Sequence, residues 1–200
     1  MPKMKSLVVA IVMLLAPGLA LAQVDTTKPP PVDQSAPLVT SPKWSYFEGG
    51  YIDFNAEDDF SDDGFFAGGS LGLLGNFHVI ADYQGIGDRT FWNAGAGWHG
   101  LLGAKADLFA QVMYARVEYD DEDIDHNGYD LQAGVRWKLL QWLEINGQAN
   151  WADYGDGGDE ATGEAGVLGL FLNDRIGVGA NFEVGDSDRV KAFLRFNFGR

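Results

Sequence analysis

The stretch Gly128-Tyr129-Asp130-Leu131-Gln132-Ala133-Gly134-Val135-Arg136-Trp137-Lys138-Leu139 decides how this chain is read. Tyr129, Leu131, Ala133, Val135, Trp137 and Leu139 fall on one face; Asp130, Gln132, Gly134, Arg136 and Lys138 fall on the other. Side chains that change sides at every residue have the period of a β-strand. Two architectures use such strands. A soluble β-domain buries the apolar face and wets the polar one, whereas a transmembrane barrel turns the apolar face to lipid and the polar face to its lumen.

The pattern recurs on both sides of that stretch. Downstream, Leu143, Ile145, Gly147, Ala149 and Trp151 oppose Glu144, Asn146, Gln148 and Asn150. Ile176, Val178, Ala180 and Phe182 oppose Gly177, Gly179, Asn181 and Glu183. In the last segment Val190, Ala192, Leu194, Phe196 and Phe198 oppose Lys191, Phe193, Arg195 and Asn197. The apolar face carries almost no charge and has aromatics near both ends. Tyr129 and Trp151 lie at one end, and Trp137, Phe196 and Phe198 at the other. Rings at two levels of an apolar face are the girdles of a membrane barrel, which favours the barrel over the soluble domain.

Ten strands are expected, at 44–55, 64–73, 77–86, 90–99, 106–118, 128–139, 142–153, 163–172, 175–184 and 189–198. Eight is the alternative count, because the second to fifth segments alternate less cleanly; Phe65-Phe66 puts a phenylalanine on both faces. The connections alternate in kind. Leu74-Gly75-Asn76, Leu140-Gln141 and Asn173-Asp174 are tight, while 56–63, 119–127 and 154–162 are longer and acidic. Short turns at one rim and long polar loops at the other describe an outer-membrane barrel. An open sheet would leave unpaired backbone in hydrocarbon, so the first strand must pair with the last. The fold class is therefore all-β, a single closed antiparallel up-and-down transmembrane barrel.

Residues 1–22 read as a secretory signal: Lys3 and Lys5, then an apolar run from Leu7 to Ala16, then Ala20-Leu21-Ala22 before Gln23. The run is too short for a membrane-spanning helix, so cleavage near Ala22 and export are expected. Residues 23–43 hold five of the seven prolines and read as an extended periplasmic linker; the remaining 44–200 form the barrel. The absence of proline after Pro42 suits continuous ladders. There is no cysteine. The net charge of −15 argues against a nucleic-acid partner.

The run Tyr46-Phe47-Glu48-Gly49-Gly50-Tyr51, the turn Gly75-Asn76-Phe77-His78-Val79, the segment from Asn127 to Arg136 and the closing Phe193-Leu194-Arg195-Phe196-Asn197-Phe198 resemble the small outer-membrane β-barrels of Gram-negative bacteria. Within these, they are most similar to the Ax21-type barrels. The resemblance covers about residues 44–198 and concerns fold, not an active site. It implies an outer-membrane location and insertion by the barrel assembly machinery; outer-membrane lipid and lipopolysaccharide are the expected partners, and a monomer the expected state. That machinery reads a terminal aromatic; here Phe198 is followed by Gly199-Arg200, a departure from the pattern.

The lumen face carries Glu48, Asp130, Arg136, Lys138, Glu144, Glu164, Glu183, Lys191 and Arg195, with His78 and Asp82 beside them. In a narrow barrel these charges should pair, because an unpaired buried charge is costly. A charge-filled lumen implies a structural or surface-interaction role; a small-solute pore is the alternative. Asp123-Ile124-Asp125-His126-Asn127-Gly128 matches the first half of a calcium loop, making Asp123, Asp125 and Asn127 weak divalent-cation candidates. The glutamate due at the twelfth position is Gly134. A solvated acidic loop is the preferred reading of the segment, and Phe60 in the first acidic loop reads as a packing residue. His126 with Asp125 and Asp123 is the one rim cluster resembling a catalytic set, and His99 reads as structural. No other catalytic spacing appears, so neither an enzyme nor a cofactor is expected; a rim protease or lipid-modifying enzyme ranks last.

Overall fold

The computed structural model describes residues 41–56, 61–119, 124–155, 158–173 and 175–198, with only the backbone described for Ala56 and Ile124. The signal, nearly all of the linker, Phe60 and Asp123 lie outside the described residues. Ten strands follow in order: β1 (Tyr46–Ala56), β2 (Ser61–Gly72), β3 (Phe77–Ile86), β4 (Arg89–Leu101), β5 (Ala106–Tyr119), β6 (Ile124–Leu140), β7 (Leu143–Asp153), β8 (Asp159–Phe171), β9 (Ile176–Gly185) and β10 (Ser187–Asn197). Each pairs antiparallel with its chain neighbours, and β1 pairs with β10 from Tyr46↔Asn197 to Ala56↔Ser187. The barrel is closed and has no edge, as the sequence demands of a sheet in hydrocarbon.

Neighbouring residues show which side each face meets. Leu194 is 63% exposed and Arg195 only 2%. Phe65 is 73% exposed and Phe66 8%, so the doublet that blurred the second strand sends one ring outward and one inward. Phe47, Leu108, Val112, Leu131, Val178 and Phe182 are likewise exposed, while Asp107, Asp130, Glu144 and Glu183 are buried. The apolar rows point outward and the ionic rows inward.

The lumen is not purely polar. Ile52, Phe54, Phe66, Ile86, Leu168 and Phe193 pack into a buried cluster with Phe91 against it. Most of these lie between mid-barrel and the loop rim. The β7–β8 ladder shifts register between Glu144 and Ile145, and the β8–β9 ladder between Val167 and Leu170. The second shift lets two residues that regular alternation would put on one face divide: Leu168 turns inward while Leu170 stays exposed. At the turn between β2 and β3 the Leu73 amide donates to the Phe77 carbonyl (2.8 Å), and Gly75 adopts a φ of 74°, which glycine reaches without steric cost.

Several strands begin earlier than the alternation indicates. β6 starts at Ile124 and β8 at Asp159, because polar residues at the loop rim continue the ladder. Asp125, Asn127 and Glu160 therefore lie in strands, not in loops. At the opposite rim the ladder starts at Tyr46, two residues later than expected, because Trp44 leaves it and folds into the lumen.

Candidate functional site: the barrel lumen

The lumen is built in three layers. The first, at the turn rim, closes the barrel around Trp44, whose indole is 7% exposed. Its Nε1 donates to Asp107 Oδ2 at 2.7 Å. The ring stacks on His78 and His99, both with centroids 4.5 Å away, and meets Phe109 edge-on at 5.5 Å. The Arg136 guanidinium lies 4.5 Å from the indole centroid on a further side. His78 Nδ1 and His99 Nδ1 are 3.2 Å apart, so one of the two must carry the proton and the other accept it. Strands β3, β4, β5 and β6 thus each give one or more side chains to hold a residue that precedes β1.

The second layer is ionic. Arg136 donates from Nε (2.9 Å) and Nη2 (2.5 Å) to Glu144 Oε1, and from Nη2 to the Lys43 carbonyl (3.0 Å). Arg195 donates to Glu48, from Nε at 2.7 Å and also from Nη2, and its Nη1 is 3.9 Å from Glu144. Its guanidinium also covers the Tyr46 ring at 4.1 Å. Nearer the loop rim, Lys191 Nζ lies 3.5 Å from both Glu164 and Glu183. Arg189 donates to Glu183 (2.9 Å) and Glu160 (2.7 Å). Asn146 and Asn181 each donate to Glu164, and Thr162 donates to Glu183. Buried charges of opposite sign held in hydrogen-bonded pairs are costly to separate, so this layer ties strands from both halves of the ring.

The third layer is a mouth of about 210 Å³ at the loop rim, walled by Phe54, Phe91, Tyr119, Tyr154, Glu160 and Arg189, among others. Below it lies an internal cavity of about 140 Å³.

All nine expected lumen charges lie on the inner face, and seven of them meet in the ion pairs above. Asp130 accepts from Gln132, and the Lys138 ammonium lies 5.8 Å from the Phe171 ring centroid. Arg189, Glu160, Asp107 and Trp44 complete the set and were not singled out. Period two marks the first three, since they share the parity of Lys191, Glu164 and Phe109; Trp44 was assigned to the first strand. The aromatic residues Tyr129, Trp137, Trp151, Phe196 and Phe198 all lie on the outer side. Tyr129 and Trp151 pack edge to face at 5.4 Å on adjacent strands.

The described members of the rim cluster, Asp125 and His126, do not come together. Asp125 and His126 are consecutive in a strand and project to opposite faces. Asp125 pairs with Arg116 at 2.8 Å, while His126 packs edge-on to the Tyr119 ring at 6.1 Å. Asn127, on the outer face with Asp125, accepts a hydrogen bond from the Tyr114 hydroxyl. Among the described residues no group of three or more His, Asp or Glu side chains is placed to hold a metal ion.

No protein-family profile matches the chain, and no curated protein matches it. Solved structures similar to it include the KdgM porin, with a TM-score of 0.48 at 8% identity over 77% of this chain and 99% of that one. The outer-membrane protein OprG from Pseudomonas aeruginosa gives 0.46 at 10% identity over 80% and 99%. The outer-membrane protein Ail of Yersinia pestis, in a bilayer nanodisc, gives 0.43 at 13% identity over 78% and 100%. These neighbours are small outer-membrane barrels. At such scores and identities the likeness carries nothing about ligands or activity.

Proposed function

We propose that this chain is an outer-membrane β-barrel with a structural or surface-interaction role, its acidic loops displayed outside and its lumen closed to through-flow. The observation that carries the reading is the plug: Trp44, gripped by Asp107, His78, His99 and Arg136, stands across the turn rim, and the ion pairs of Arg195 and Lys191 lie above it. The exposed apolar belt supports a membrane location, since a surface of this kind is stable only against lipid. In this reading the signal is removed near Ala22, and the barrel assembly machinery inserts the chain as a monomer. Its partners are outer-membrane lipid and lipopolysaccharide, and divalent cations bridge lipopolysaccharide phosphates to the acidic loops. Kinship to the Ax21-type barrels belongs to the same proposal.

A narrow small-solute pore is the second reading, favoured by the internal cavity of about 140 Å³. Planar-bilayer recording separates the two. Folded protein, verified by heat-dependent gel migration, should give no stepwise conductance; steady unitary channels from such a preparation would overturn the proposal.

A further inference from the structure

The internal cavity carries more acid than its bases neutralise. Six carboxylates line it and four basic side chains do so. Glu48, Glu160, Glu164 and Glu183 are each engaged by Arg195, Arg189 or Lys191. Asp82 and Asp130 are different: among the described residues no Lys or Arg nitrogen lies within salt-bridging distance of either. Asp82 accepts only amide hydrogens, from Gln84 (3.4 Å) and Asn93 (3.2 Å). Asp130 accepts one, from Gln132 at 2.8 Å, and its other oxygen, Oδ1, is buried with no hydrogen-bond partner. Amide donors satisfy lone pairs without cancelling charge, so two carboxylates remain uncompensated in a confined space.

A second observation concerns the amides on the same wall. The side-chain nitrogens of Asn93, Asn146 and Asn181 are spent on carboxylates. That fixes which way each amide points, and leaves the Oδ1 atoms of all three buried without partners. Asn93 and Asn146 are each 8% exposed, Asn181 5% and Asp130 6%. Among the described residues the lining leaves these acceptors, Asp130 Oδ1 and Gln111 Oε1 unpartnered against three guanidinium nitrogens, Arg136 Nη1, Arg189 Nε and Arg195 Nη1, so acceptors and negative charge predominate. The cavity is built for a cation that carries several hydrogens.

The lining also selects among cations. Among the described residues the carboxylates do not gather in threes, as a metal ion would require. The rings of Phe66 and Phe91 also line the cavity and suit methylene groups better than a hydrated metal. The cavity shares Phe91, Tyr154, Glu160 and Arg189 with the mouth at the loop rim, so an occupant would come from that side, past acidic loops that concentrate cations.

We infer that the lumen is a binding site for a small organic dication, an aliphatic diamine whose two ammonium ends are held by Asp82 and Asp130. The inference goes beyond the proposed role, because it holds whether or not the barrel conducts.

Calorimetric titration of the folded barrel in lipid nanodiscs with putrescine tests it, with sodium chloride and calcium chloride titrated in parallel. The expected result is saturable putrescine binding. Asp82→Asn and Asp130→Asn, which keep size and shape, should each weaken it about tenfold or more, the value of a lost charged hydrogen bond. Glu118→Gln on the outer face should leave it unchanged. Should either lumen variant not fold, putrescine must still raise the urea midpoint of the unaltered barrel, since a ligand of the folded state stabilises it. Absence of saturable heat with no midpoint shift would overturn the inference. Equal affinity in the folded variants would do so too, and calcium binding with the same variant dependence would reassign the site to a metal.

Discussion

Arg136 shows how much one residue of a narrow lumen can hold. It is 4% exposed, its partner Glu144 is 1% exposed, and the same guanidinium reaches the Lys43 carbonyl and faces the Trp44 indole. The two-residue period places Arg136 inside the barrel, but not its choice of partner. Register sets Lys138 opposite Glu144, yet Arg136 takes Glu144 diagonally, and Lys138 turns to the Phe171 ring. Arg136→Met should cost about 3–5 kcal/mol, because it strands a buried carboxylate. Adding Glu144→Gln should recover most of that loss, and urea unfolding in lipid vesicles measures both. Gly97 is a second such point. A Cβ there would sit 2.5 Å from His78 Nε2 and 2.8 Å from Gln111 Cγ, so Gly97→Ala should cost about 1–3 kcal/mol by overpacking. The same unfolding assay reads it, and the stack beneath Trp44 should loosen with it, seen as a red shift in tryptophan emission.

At the scale of elements, the ladders were legible and their ends were not. Strands such as β7, where charge and apolar side chains alternate without a break, were recovered to within a residue. β6 and β8 run further toward the loop rim because Asp125 and Glu160 find arginine partners there, a fact of the fold that their acidity hides. The register shift in β8 was also hidden, since Val167, Leu168 and Leu170 are all apolar and carry no phase. The residues before β1 form a small element of their own. Trp44→Ala would empty the space over the two paired imidazoles and leave Asp107 without its donor, costing about 3–5 kcal/mol in the same unfolding assay. At the other rim, Tyr154 follows β7. Burial, and secondarily the nearby Glu160 charge, holds its hydroxyl above the usual tyrosine range. A raised acid contributes stability that is complete below its unfolded value of about 10 and is lost as pH climbs beyond it. Spectroscopic titration should find fewer tyrosines ionising near pH 10 in the folded barrel than in urea, and Tyr154→Phe should shrink that difference by one.

For the whole molecule, the exterior and the lumen play roles that one sequence period could assign, but the contents of the lumen needed the closed ring. Phe66 and Phe193 read as odd members of a polar face, yet in the ring they meet edge to face at 5.9 Å and anchor an apolar patch among the charges. The plug was illegible for the same reason: its partners come from four strands spread along the chain from His78 to Arg136, and no local pattern announces them. If Trp44 is what closes the turn rim, Trp44→Ala should convert a silent barrel into one with measurable leak in planar bilayers. Unchanged silence would assign closure to the ion pairs alone.

The seam between β1 and β10 continues past the last ladder pair, where the Phe198 amide donates to the Ser45 carbonyl at 2.9 Å. The two extremities of the ring therefore touch at one rim. A circle so fastened has no privileged starting point: circular permutants that join Phe198 to Ser45 through a short added turn and are cut at the Gly103 turn should keep the strand ladders of the wall. Which strand is synthesised first is thus a matter of delivery to the bilayer rather than of the finished shape.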